Sequence, residues 1–127
     1  MTEPVVFEIE GETPSKKNSR ITLKNGRTIP GKKYRQWHGA AMSQLEKQKE
    51  ERPPVEPIGY TVRVSLDFYH SDNRRRDSDN GTSSILDVLQ DSGILLDDRW
   101  QIVRELMIRN HKAESARCVI QILQIEE

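Results

Sequence analysis

The chain has 127 residues, 20 of them Lys or Arg and 20 Asp or Glu, so its formal net charge is zero. Only 34% of residues are apolar and 31% are charged, which predicts a single domain over residues 1–127 whose thin core favours self-association. The apolar runs, such as Ile94-Leu95-Leu96, are too short to span a membrane, the acidic start has no signal-peptide core, and the lone Cys118 excludes a disulfide or a cysteine zinc site, so a cytoplasmic protein is expected.

Val5 to Glu12 alternates loosely and predicts a strand. Pro14 to Ser19 is a polar loop. It opens a stretch, to Trp37, that holds Lys16, Lys17, Arg20, Lys24, Arg27, Lys32, Lys33 and Arg35 without one acid. Inside it, Arg20–Lys24 and Arg27–Ile29 flank Asn25-Gly26, a strong two-residue hairpin signal. Lys33 to Glu51 predicts a helix, because Tyr34, Trp37, Ala41 and Leu45 recur at helical spacing. Arg52-Pro53-Pro54 ends it. Tyr60 to His70 alternates cleanly, with Tyr60, Val62, Val64, Leu66 and Phe68 on one face.

A charged loop follows, in which Arg74-Arg75-Arg76 abuts Asp77 and Asp79. Asp79 suits the N-cap of a helix to about Gln90, with Ile85, Leu86, Val88 and Leu89 inward and Gly93 at its end. Trp100–His111 and Arg117–Ile125 predict two strands, expected as antiparallel neighbours across the Lys112–Ala116 turn. The order describes an α+β domain with a mixed β-sheet and helices packed on one face.

Two basic runs on a neutral chain point to a polyanion, and one abutting a carboxylate cluster points to nucleic acid. The histidines His38, His70 and His111 lack metal-ligand spacing and read as surface or packing residues. Cys118 reads as core, and no serine has a His/Asp partner. The acids are more informative. Asp77 and Asp79 are two apart in an extended segment, roughly 7 Å between Cα atoms, so both side chains can point the same way. A strand–helix–strand return is expected to bring Asp97 or Asp98 beside them. Converging carboxylates need a hard cation between them, and oxygen-only ligands suit Mg²⁺ or Mn²⁺. Such a metal polarises a phosphodiester, and Arg74, Arg75 and Arg76 would hold the backbone. Asp67, Asp87 and Asp91 are expected to face solvent.

Arg75-Arg76-Asp77-Ser78-Asp79-Asn80, then Ile85-Leu86-Asp87-Val88-Leu89, Ser92-Gly93-Ile94 and Asp97-Asp98 resembles the RusA family of Holliday junction resolvases of phages and prophages. Pro14–Arg20 with Lys33-Tyr34 resembles the family's basic N-terminal part. The resemblance implies a homodimer that cuts four-way DNA junctions by paired symmetric nicks, using Mg²⁺ or Mn²⁺, in recombination and repair. By matching position it implies Asp77, Asp79 and Asp98 as catalytic metal ligands, with Asp97 the neighbouring acid. Lys16, Lys17, Arg20, Lys33, Arg74, Arg75 and Arg76 become the DNA contacts. One departure stands out: where the family commonly has a lysine, this chain has Ser83, so either another cation, such as Arg76 or Lys16, takes over its role or the enzyme is slower or differently tuned. The competing expectations are a non-catalytic DNA-binding protein that kept the fold, and a nuclease acting on other branched DNA.

Overall fold

The computed structural model describes residues 3–16, 20–52 and 56–126. Lys17, Pro53 and Pro54 therefore lie outside the described residues. In chain order the elements are β1 (Val5–Glu10), β2 (Arg20–Thr22), β3 (Thr28–Pro30), α1 (Lys32–Glu50), β4 (Val62–His70), α2 (Thr82–Asp91), β5 (Val103–Lys112) and β6 (Arg117–Gln124). The Asn25-Gly26 hairpin forms as the sequence predicts, with β2 antiparallel to β3. Gly26 takes φ +86° there, a conformation open to glycine at little cost.

The main sheet is mixed and runs β1-β6-β4-β5. One face carries Phe7, Ile9, Val62, Val64, Leu66, Phe68, Cys118, Ile120 and Ile122, all buried. Ala41 and Leu45 of α1 and Ile85, Val88 and Leu89 of α2 pack into the same core. The 85-88-89 spacing gives α2 one apolar stripe, and each such side chain stabilises by about 2 kcal/mol on burial.

The expected pairing of the last two strands is corrected. β5 pairs in parallel with β4, and β6 pairs antiparallel with the other side of β4. The short link after β5 steps over the end of β4, where Ala113 N–H donates to the His70 carbonyl at 2.9 Å. β4–α2–β5 is thus a parallel crossover, which needs a helix-length connection.

Asp79 is not the N-cap of α2. Gly81 holds that position, without a side-chain cap, and Asp79 closes a turn by accepting from Thr82 N–H at 3.1 Å. A Cβ on Gly81 would lie 2.7 Å from Thr13 Cγ2 and 2.9 Å from Phe68 Cε1. The missing side chain lets the start of α2 settle on the sheet and on the Thr13 segment. Gly93 behaves as expected, ending the turn after α2 at φ +77°.

The two sheet edges differ. The outer side of β1 is closed by α1: Gln48 donates to Glu8 O at 2.7 Å and accepts from Glu8 N–H at 2.9 Å. Gln44 accepts from Glu10 N–H at 2.7 Å and Arg52 donates to Val6 O. β5, at the opposite edge, leaves Leu106 and Met107 about 40% exposed.

Asp67 does not face solvent as expected. It is buried on the sheet face away from the helices, accepting from Arg109 at 2.8 and 3.1 Å and lying 2.7 Å from His111 Nε2. Asp87 is half-buried and pairs with Lys16, whereas Asp91 is exposed and lies 2.7 Å from His38. The Arg109 hydrogen bonds, then that of His111, hold the Asp67 carboxyl below the usual carboxylate range against its burial. A depressed folded pKa gives stability that is complete above the ordinary carboxylate range and is lost as pH falls through the folded value. Asp67→Asn should therefore lower stability by about 1–2 kcal/mol at neutral pH, and urea melts should show the gap closing as pH drops below that range.

Candidate active site and nucleic-acid interface

Asp77 and Asp79 stand on the turn between β4 and α2. Asn80 N–H donates to Asp77 O at 3.0 Å, and Thr82 N–H to Asp79 O, so two consecutive turns fix the backbone. Both residues are exposed, and neither carboxylate has a hydrogen-bond or ion-pair partner among the described residues. This is notable beside three arginines, and Arg76 shows why. Its guanidinium forks onto Asp72 at 2.7 and 3.2 Å and reaches Glu12 at 3.5 Å. The Asp72 carboxyl is held well below its usual range, first by Arg76 and then by the Arg74 N–H. Lys16 is likewise taken by Asp87. The two cations expected to replace the lysine missing at Ser83 are thus committed elsewhere. Ser83 itself is exposed, the second residue of α2.

The basic residues do converge. Lys33, Arg74, Arg75, Arg76 and Asn80 line one groove together with Glu12–Ser15. Lys33, Arg74 and Arg75 are exposed, and their charged heads make no hydrogen bond or ion pair among the described residues. The far wall is held by α2, whose Ser84 donates to Pro14 O at 2.6 Å and accepts from Lys16 N–H at 3.2 Å. Arg20 lies apart, exposed at the start of the hairpin, and Lys17 lies outside the described residues. On the other side of the turn a second cleft is lined by His70, Asp72, Asp77, Asn110 and Lys112.

Asp97 and Asp98 are not beside this turn. The return through α2 was expected to bring them there, and the parallel crossover prevents it. β4 and β5 run the same way, so the segment before β5 lies where β4 begins, and the segment after β4 lies where it ends. Leu96 N–H donates to Ile58 O at 3.0 Å and Thr61 Oγ1 to Gln101 O at 3.1 Å, which fixes the 96–101 segment at the start of β4. Nine residues of β4 separate the two ends, roughly 26 Å at ~3.3 Å per residue. At the far end Asp97 accepts from Asp98 N–H at 2.8 Å and lies 3.5 Å from Arg99. Asp98 is exposed. Among the described residues no three acid, histidine or cysteine side chains are gathered closely enough to hold a metal ion.

The donor chemistry fits a hard cation all the same. Asp77, Asp79 and Asp98 each expose a carboxylate, the oxygen donor type that hard cations prefer. No motif in the chain marks Glu12, His70 or Asn110, which brace the turn from the end of the sheet. His70 reads as a surface histidine, and only its position at the end of β4 could have drawn attention to it. Its pairing with Glu12 at 2.9 Å joins residues 58 apart in sequence.

The sequence model of the family described as Endodeoxyribonuclease RusA matches residues 10–123. No curated protein matches the chain. The groove yields a direct expectation for polyanion binding. Replacing Lys33 and Arg75 together by alanine should weaken DNA binding and flatten the log Kd against log [salt] slope by about 0.9 per lost phosphate contact. Fluorescence anisotropy at several salt concentrations reads this, and Arg20→Ala alone should leave the slope nearly unchanged.

Proposed function

The chain belongs to the RusA endodeoxyribonuclease family, and from that premise we propose a homodimeric, magnesium-dependent endonuclease that resolves four-way DNA junctions by paired nicks. Nuclease action on Holliday junctions is what the family implies. The observation that carries the reading for this chain is the unneutralised pair Asp77 and Asp79 beside the groove of Lys33, Arg74 and Arg75. Phosphates held along that groove bring a backbone phosphodiester to the turn. Two bare carboxylates there would repel DNA unless a cation lay between them. A divalent cation, when bound by Asp77, Asp79 and Asp98, supplies Lewis acidity at the phosphodiester and activates water for attack; Mn²⁺ has the same ligand preference as Mg²⁺. Lys112, in the cleft with Asp77, provides positive charge for the departing oxygen in place of Arg76.

The third acid comes from a second copy. The β5 edge is self-complementary. Antiparallel pairing that sets Met107 against Met107 puts Glu105 opposite Arg109 twice and Leu106 opposite Ile108. It also puts Val103 of one copy opposite His111 of the other, so Asp98 of the partner subunit arrives at the end of the sheet that carries Asp77 and Asp79. A two-fold axis then yields two equivalent sites, as paired symmetric nicks require. Such an enzyme, a single domain over residues 1–127, works on DNA in the cytoplasm of a bacterial or phage-infected cell.

The test is a nicking assay on a synthetic four-way junction with linear duplex as control. Junction strands should be cut with Mg²⁺, remain intact with EDTA, and the duplex should stay uncut. Binding without cutting in every metal would instead favour a non-catalytic DNA-binding protein, and cutting of flaps or single strands would favour a broader nuclease. In the same assay Met107→Asp should cost more than tenfold in rate. Sedimentation should show it as a folded monomer, because two carboxylates would meet on the axis.

A further inference from the structure

The turn that carries Asp77 and Asp79 is fastened in part by Asn110 and His70, which belong to neither the acids nor the basic groove. Asn110, near the end of β5, donates through Nδ2 to the Ser78 carbonyl at 2.9 Å. Ser78 is the residue between the two acids. The same amide accepts through Oδ1 from His70 Nε2 at 2.8 Å. His70 ends β4, and its Nδ1 lies 2.9 and 3.0 Å from the two oxygens of Glu12. Glu12 in turn reaches Arg76 at 3.5 Å, and Arg76 is forked onto Asp72. The segment is therefore held at both ends, by Arg76 on Asp72 before the acids and by Asn110 on Ser78 between them.

We propose that Asn110 is a positioning residue for the D-x-D turn, itself oriented by the Glu12–His70 pair. The proposal rests on the nuclease reading for its effect on rate, though not for its effect on the turn. The chemistry of the amide makes the assignment specific. Asn110 must present its NH₂ to Ser78 and its carbonyl oxygen to His70, and with Glu12 on the opposite nitrogen both ring nitrogens of His70 face oxygen acceptors. Each bond is partly solvated and modest alone. Together they tie Glu12 after β1, the last residue of β4 and the end of β5 to one peptide group. That peptide sets the direction of two carboxylates that must meet a cation and a phosphate, where a displacement of about 1 Å can cost up to a hundredfold in rate.

Asn110→Asp isolates the contact. It keeps the shape and the acceptor for His70, and it replaces the donor to Ser78 O by an oxygen that repels it. Asn110→Ala removes both bonds, and His70→Gln keeps a donor toward Asn110 that His70→Ala lacks. Two readouts are needed. Hydrogen–deuterium exchange of segment 72–82 in the metal-free protein reads the turn whether or not the enzyme cuts junctions. Single-turnover junction cleavage with saturating Mg²⁺, alongside junction Kd, reads the consequence. Expected are faster exchange of that segment in Asn110→Asp and Asn110→Ala, a rate loss of about tenfold or more with Kd within about twofold, and a smaller loss for His70→Gln than for His70→Ala. Unchanged exchange in a folded Asn110→Asp protein overturns the proposal. Faster exchange with a wild-type cleavage rate also overturns it, because the contact would then not serve the reaction. A wild-type protein that cuts no junction would sink the nuclease reading, and the exchange measurement would still decide whether Asn110 holds the turn.

Discussion

The parallel crossover from β4 through α2 to β5 is the constraint on which the rest of this molecule depends. It forces the acids that follow β4 and the acids that precede β5 to opposite ends of one sheet. A cation held by both groups at once, as proposed, would have to span the length of β4, roughly 26 Å at ~3.3 Å per residue. In the proposed dimer a two-fold axis closes that distance. The same crossover leaves β5 as the outer strand, so the edge available for a second copy is also the one that can deliver the missing acid. The β1 edge is already occupied by Gln44 and Gln48 from α1 and by Arg52 just after it. That covering removes a competing edge for strand addition, which leaves β5 as the edge open to the proposed pairing.

Electrostatics divides the arginines of the 74–76 run into two kinds. Arg76 is nearly buried, with its side chain 16% exposed, and is spent on Asp72 and Glu12. Its role is to shape the turn. Arg74 and Arg75 extend into the groove with Lys33 and keep their charge for an outside anion. Lys16 follows the first pattern: its ammonium pairs with Asp87 while its backbone N–H meets Ser84. These contacts seat the Pro14–Lys16 segment on α2 as the far wall of the groove. The strongest local basic run is thus partly a structural device, and what remains uncompensated is what can meet phosphate.

Much of this was legible in the residues. Alternation from Val62 to Phe68, the Tyr34–Leu45 helical stripe and Asn25-Gly26 each fixed a local conformation, because the apolar face or the glycine decides it without reference to the rest of the chain. The motif around Asp77 and Asp79 pointed to the family over most of its length. Strand pairing was not legible. A four-residue link between β5 and β6 reads as a hairpin turn, and nothing local reveals that β4 is inserted between them. The strand–helix–strand return that predicts Asp97 or Asp98 beside Asp77 and Asp79 is in fact a parallel crossover, which sends both to the other end of β4. The Asp79 cap failed because Gly81, squeezed between Thr13 and Phe68, sets the start of α2 by close packing rather than by capping. The bracing by Glu12, His70 and Asn110 is not legible in the sequence because their contacts join residues 40 and 58 apart.

The claim that one active site is built from two chains has a direct test in subunit mixing. Asp79→Asn and Asp98→Asn proteins, each inactive alone, would be combined, exchanged to equilibrium and assayed on a four-way junction. In a shared site the mixed dimer joins an intact Asp77–Asp79 turn on one chain to an intact Asp98 on the other. A shared site predicts that the mixture recovers cleavage as single nicks at one of the two strands per junction. A mixture as inactive as its parents, with exchange verified by mass spectrometry of the intact dimer, would contradict it.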